Sequence, residues 1–193
     1  VPPPSHADPR TDREFSVSPG GSVGLPWLLP GVAIAVVVSI ATSGVVGRAF
    51  RVRRSVAWAG VLSLGIILAA TLTPQGEALL TGARGSSSCN MSRIWPVPLG
   101  DFLSLTEASI NVLMFIPLGA VIGLVPRSRR KGAIVVAAIA LPFAIETVQL
   151  LVPALDRACE SADVVDNLTG LAIGLAVGVV TRRFVVAADP RPG

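Results

Sequence analysis

Six polar residues stand in segments otherwise suited only to lipid: Asn111, Glu146, Gln149, Asp163, Asp166 and Asn167. An ionisable group at the centre of a membrane helix costs roughly 2.5–3.5 kcal/mol even on the lenient insertion scale, so such groups need a partner or a task. Several chemistries fit these residue types. With Arg157 and Glu160 from an adjacent loop they would form a polar pocket. Arg157 would meet phosphate or carboxylate in bidentate fashion, and the amides of Asn111, Gln149 and Asn167 would orient a ligand. Paired carboxylates could instead work as acid and base on a lipid-linked substrate. A nucleophile–histidine arrangement is not available there, because His6, in the N-terminal tail, is the only histidine. Glu160, Asp163 and Asp166 have the oxygen donors a hard divalent ion needs, but no motif spacing demands one, and neither metal nor cofactor is expected. The remaining reading is structural: hydrogen bonds between helices fix their packing, at about 0.6 kcal/mol each.

The elements that position these residues are read from hydropathy. The 193 residues suit one domain. Half are hydrophobic, 15% are charged, and mean hydropathy is +0.69. A soluble domain carries about 25% charge, so an all-α polytopic membrane bundle is expected. The sequence pI of about 10.4 does not indicate nucleic-acid binding. The arginines cluster in short loops between apolar runs, where they set orientation. The preference for Arg over Lys, with abundant Ala, Val and Gly, matches a GC-rich bacterial genome.

Five apolar runs, 27–46, 56–73, 109–125, 132–152 and 164–181, are each about long enough to cross ~30 Å of hydrocarbon. The third is the shortest, and residues before Ser109 would extend it. Residues 1–26 are rich in Pro, Ser and Gly and are expected to be a disordered tail. They lack a basic n-region, so no cleaved signal peptide is expected. Residues 182–193 read as a short polar tail. Arg48, Arg51, Arg53 and Arg54 lie in one loop; Arg127, Arg129, Arg130 and Lys131 lie in another. Arg182 and Arg183 follow the last run. These three places alternate correctly to share the cytoplasmic side, giving five helices with N-out/C-in topology.

The same rule puts Cys89 and Cys159 in outer loops, where a disulfide persists. The bond would close a loop of about 70 residues, worth roughly 4 kcal/mol in the chain-entropy model. Two unrelated thiols are the alternative.

Topology also fixes depth. Asn111 lies in the first turn of the third run, and Glu146 lies ~9 Å below the outer end of the fourth. Gln149 shares its face. Asp163, Asn167 and Gly170 form one stripe of the fifth run, with Asp166 beside it. All six fall in the outer third, with Arg157 as the expected counter-ion and Asp163 at the positive end of the helix. Gly170, Gly174 and Gly178 continue the stripe; Gly119 and Gly123 do the same below Asn111. Small residues at this spacing let helices approach closely. Pro117 and Pro142 could break the third and fourth helices near mid-membrane, which a transporter would use. The inner halves of helices three to five lack ionisable residues, which argues against a conduit.

These residues resemble a known family. NVLMFIPLG from Asn111 to Gly119 resembles the Asn-x-x-x-Phe-x-Pro-Leu-Gly signature of VanZ-like membrane proteins. IETVQ, with Glu146 and Gln149, resembles that family's Glu-x-x-Gln. RACESADVVDNLTG, from Arg157 to Gly170, resembles its Arg…Asp-x-x-x-Asn-x-x-Gly block through Arg157, Asp163, Asn167 and Gly170. The resemblance spans residues 109–178 and makes 27–181 a VanZ-like transmembrane domain. It implies a bacterial multi-pass protein of the cell membrane, from a family named for a role in teicoplanin resistance. The expected partners are the bilayer and a lipid head group, lipid-linked wall precursor or glycopeptide. Binding is favoured over catalysis, and no catalytic residue is assigned.

Reporter fusions at residues 10 and 190 test the topology. They are expected on opposite sides of the membrane, and both on one side would exclude five crossings.

Overall fold

A computed structural model describes residues 27–76, 82, 84–86, 88–96 and 106–188. The expected tail over residues 1–26, with His6, lies outside the described residues. Among the described residues the chain forms a bundle of five α-helices: α1 Leu28–Phe50, α2 Arg54–Thr71, α3 Glu107–Leu124, α4 Arg129–Leu151 and α5 Ser161–Ala188. Four are long and apolar enough to cross a membrane; the third contributes a shorter apolar stretch, Ala108–Leu124.

Local chemistry sets the helix ends. Arg51 adopts a left-handed conformation at the end of α1, and its N–H turns back to the last carbonyls, so α2 starts only three residues later. Thr106 caps α3 by accepting from the Ser109 N–H, and Ser128 caps α4 by accepting from the Lys131 N–H. Pro153 opens a 3₁₀ turn, Pro153–Leu155, directly after α4. Asp156 then takes a left-handed conformation, which a short polar side chain tolerates.

The helices differ from the apolar runs mainly at their ends. The first reaches Phe50 instead of residue 46, the third begins at Glu107, and the fifth continues to Ala188 through the expected polar tail. Hydropathy marks where lipid begins, but Arg182 and Arg183 are good helix formers and the backbone continues through them. Pro117 and Pro142 do not break α3 or α4; both lie inside continuous helices.

The centre of the bundle is the α3–α5 pair, which shares the most extensive contact, followed by α1–α2. A Cβ added at Gly170 would meet the Val112 carbonyl oxygen at 2.0 Å. At Gly174 it would meet Ile116 O at 2.1 Å, and at Gly178 it would meet Ala120 O at 2.0 Å. From the other side, a Cβ on Gly119 would reach Leu171 O at 2.3 Å, and one on Gly123 would lie 2.7 Å from Gly178 Cα. The two backbones therefore touch along about three turns, with van der Waals contact as the attraction. Ile67, Phe115, Leu118, Ile122, Ala138, Ile145 and Leu171 fill the core beside this seam.

Gly174→Ala is expected to cost about 1–3 kcal/mol through overpacking. Gly132 has nothing within 4 Å of its missing Cβ, so Gly132→Ala is expected to be neutral or to gain up to about 1 kcal/mol. Thermal unfolding of the purified variants checks both.

Candidate functional site

Two loops close over one end of the bundle. Two-residue strands β1, Cys89–Asn90, and β2, Cys159–Glu160, pair in parallel, with Cys89 opposite Cys159 and Asn90 opposite Glu160. The expected Cys89–Cys159 disulfide is formed, at a Cα–Cα distance of 4.6 Å. Gln75 N–H donates to Leu155 O at 3.2 Å, and Gly85 N–H donates to Pro153 O at 2.9 Å. A Cβ on Gly85 would lie 2.3 Å from Arg157 O, so only glycine passes there. The loop after α2 is thus strapped onto the α4–α5 connection.

The strap delivers Arg93 to Asp166. Arg93 Nη2 forms an ion pair with Asp166 Oδ2, and Nη1 donates to Oδ1 at 3.1 Å. The Asp166 side chain is fully buried, whereas Arg93 remains 23% exposed. Two further bonds fix the arginine. Its Nη1 donates to Trp95 O at 2.7 Å, and its own carbonyl accepts from Ser161 Oγ at 2.7 Å. The hydrogen bond to Asp166 raises the guanidinium pKa above its ordinary value. Desolvation opposes this, and the fields of Asp166, Asp163 and Glu160 add to it.

The other candidates are held by neighbouring backbone. Glu146, buried on α4, accepts from the Glu160 N–H at 2.8 Å and lies in the fields of Asp163 and Glu160. Gln149 Nε2 donates to Thr71 O at 3.1 Å, in the last turn of α2. Arg157 Nη2 donates to Ala70 O at 2.6 Å and Thr73 O at 3.4 Å. It therefore meets the negative end of the α2 dipole. The ion pair expected from Arg157 is, for Asp166, made by Arg93. Asp163 is half-buried in the first turn of α5, a favourable place for a negative charge. Asn111 is half-buried on α3. Asn167 is 1% exposed. Its Oδ1 and the Gln149 Oε1 are buried without a hydrogen-bond donor among the described residues.

Sequence reasoning missed Arg93, Ser161 and the α2 carbonyls. Arg93 is 73 residues from Asp166, in a loop without periodic pattern. Among the described residues, no group of three or more His, Cys, Asp and Glu side chains is arranged to hold a metal ion. Two cavities of about 330 and 320 Å³ lie elsewhere. One is lined by Ile40, Ser43, Arg54, Ser55 and Trp58, the other by apolar residues of α3, α4 and α5.

A family model, VanZ/LLP1, matches residues 61–182, well over half of the chain. The match takes in the later part of α2, the strap, α3, α4 and most of α5. No curated protein and no solved structure matches.

Arg93→Gln removes the Arg93 cation from the buried Asp166 carboxylate. The expected loss is about 3–5 kcal/mol of stability, and the Arg93→Gln, Asp166→Asn pair is expected to recover most of it. Chemical unfolding of the two variants in detergent measures the difference.

Proposed function

The chain belongs to the VanZ/LLP1 family, and on that premise we propose a multi-pass cell-membrane protein with an outward-facing polar pocket between α3, α4 and α5. The pocket binds the hydroxyl- and amide-rich head of a lipid-linked wall precursor or a glycopeptide such as teicoplanin. The observation that carries this reading is the pair of buried amide oxygens, Gln149 Oε1 and Asn167 Oδ1, which lack donors among the described residues. A buried acceptor without a partner costs about 1–3 kcal/mol, which a ligand donor would offset. Sugars and peptides carry such donors in number. Arg93 and Arg157 both make internal bonds, so the reading rests on acceptors and not on capture of an anion by Arg157.

The disulfide supports the outward orientation, because such bonds persist in oxidising surroundings. The arginine-rich loops at 47–55 and 127–131 lie at the opposite end of the helices, as the positive-inside rule requires. The proposed role in glycopeptide resistance derives from the family.

A second reading has its own support. Asp166, Glu146, Gln149 and Arg157 all bond within the protein, as a purely structural cluster would. Asn167→Ala separates the two, since removing an unpaired acceptor hardly disturbs a structural network. The protein in nanodiscs is titrated with labelled teicoplanin and with lipid-linked precursor. Saturable binding of either ligand is expected for the parent chain, lost in Asn167→Ala while insertion and the disulfide are retained. Absence of binding, or binding unaffected by the substitution, contradicts the pocket.

A further inference from the structure

The opposite end of the bundle carries a second site. α4 packs only sparsely against α3 and α5. Between the three helices runs an apolar crevice of about 320 Å³, lined by Ile122 of α3, Val135 and Ile139 of α4, and Leu171 and Leu175 of α5, among others. Its walls lead to cations. Lys131 stands one helical turn before Val135, and Arg182 stands two turns after Leu175, so each shares a face with the lining.

The cations are held at that end. Lys131 Nζ donates to Gly123 O at 3.1 Å and Val125 O at 2.9 Å, next to Ile122, and keeps a third donor. It lies in the repulsive fields of Arg182 and Arg127. Arg182 Nε is buried without a hydrogen-bond partner among the described residues. The acidic side chains described, Glu146, Asp156, Glu160, Asp163 and Asp166, all belong to the other end. Three positive charges thus lie together at the end of the helices to which the apolar lining leads, with no carboxylate described nearby.

We infer that this crevice binds an anionic phospholipid from the leaflet at the arginine-rich end, one acyl chain lying between α3, α4 and α5 and the phosphate meeting Lys131, Arg182 and Arg127. The dimensions agree. From Arg182 to Leu168, the far end of the lining, is about 21 Å along the helix, close to half of the ~40–45 Å bilayer with its head-group regions included. A zwitterionic lipid would fit the crevice but would not neutralise the cations. A free phosphate would neutralise them but leave the crevice unfilled. The site is separate from the polar cluster under the disulfide strap and does not depend on what that cluster binds.

Native mass spectrometry of the full-length protein tests the inference, using phosphatidylglycerol and phosphatidylcholine with identical chains. Retention of phosphatidylglycerol is expected to exceed that of phosphatidylcholine by about thirtyfold or more, given the strength of basic side chains toward anionic lipid surfaces. Lys131→Gln with Arg182→Gln is expected to abolish that preference. Ile139→Trp, which fills the crevice without touching charge, is expected to lower retention of phosphatidylglycerol. Glycerol phosphate at equal concentration is expected not to compete. Equal retention of the two lipids by the parent chain overturns the inference and needs no variant. Full preference in the double variant overturns the role of the cations. Unchanged retention in Ile139→Trp, or competition by glycerol phosphate, overturns the role of the crevice.

Discussion

The fully buried carboxylate of Asp166 imposes a condition on one whole end of the molecule. Taking a lone carboxylate out of water costs several kcal/mol, and only a well-oriented cation with good hydrogen bonds repays that cost. Arg93 meets the condition through two bonds to Asp166. It does so from residues 91–96, which form no helix that would position it. The strand pairing, the Cys89–Cys159 bond and the Ser161 hydrogen bond supply that positioning. The strap and the buried charge therefore require each other.

The same end is held from below by glycine. With Gly170, Gly174 and Gly178 against the α3 backbone, α5 has no freedom to slide, so Asp166 and Asn167 sit at a fixed depth. α4 is looser against its neighbours but is tied at its C-terminal end. Its Glu146 holds the Glu160 N–H and its Gln149 holds the Thr71 carbonyl, so both neighbouring segments are anchored through polar groups. A rigid pair of helices, a tethered third and a covalently closed strap together make a preorganised polar surface. Preorganisation of this kind is what a binding site needs, because less ordering cost remains for the ligand to meet.

Much of this was legible in the sequence. Five helices follow from five apolar runs, four of them long and apolar enough to cross a membrane, and the disulfide follows from two cysteines placed in the loops that the arginine pattern groups together. The glycine spacing pointed to α5 as the bundle's centre. What stayed hidden had physical causes. Helix ends such as Ala188 lie past the apolar runs, where hydropathy says nothing about backbone. Pro117 and Pro142 are accommodated inside continuous helices, which sequence alone cannot distinguish from a break. Arg93 was invisible because its loop has no period and its partner is remote in sequence. Arg157 stood nearer to the carboxylates in sequence, yet its guanidinium reaches the carbonyls at the end of α2. Helix α2 carries none of the polar signature, but its last turn receives two of the site's side chains.

The central claim is that the disulfide strap holds Arg93 on the buried Asp166 carboxylate. A double-mutant cycle over Arg93 and Asp166, measured by chemical unfolding in the oxidised and in the reduced protein, tests it most directly. The account predicts a coupling of about 2 kcal/mol or more with the disulfide intact, as for hydrogen-bonded partners in one network, and a clear fall after reduction. Coupling near zero in the oxidised protein, or coupling unchanged by reduction, would contradict it.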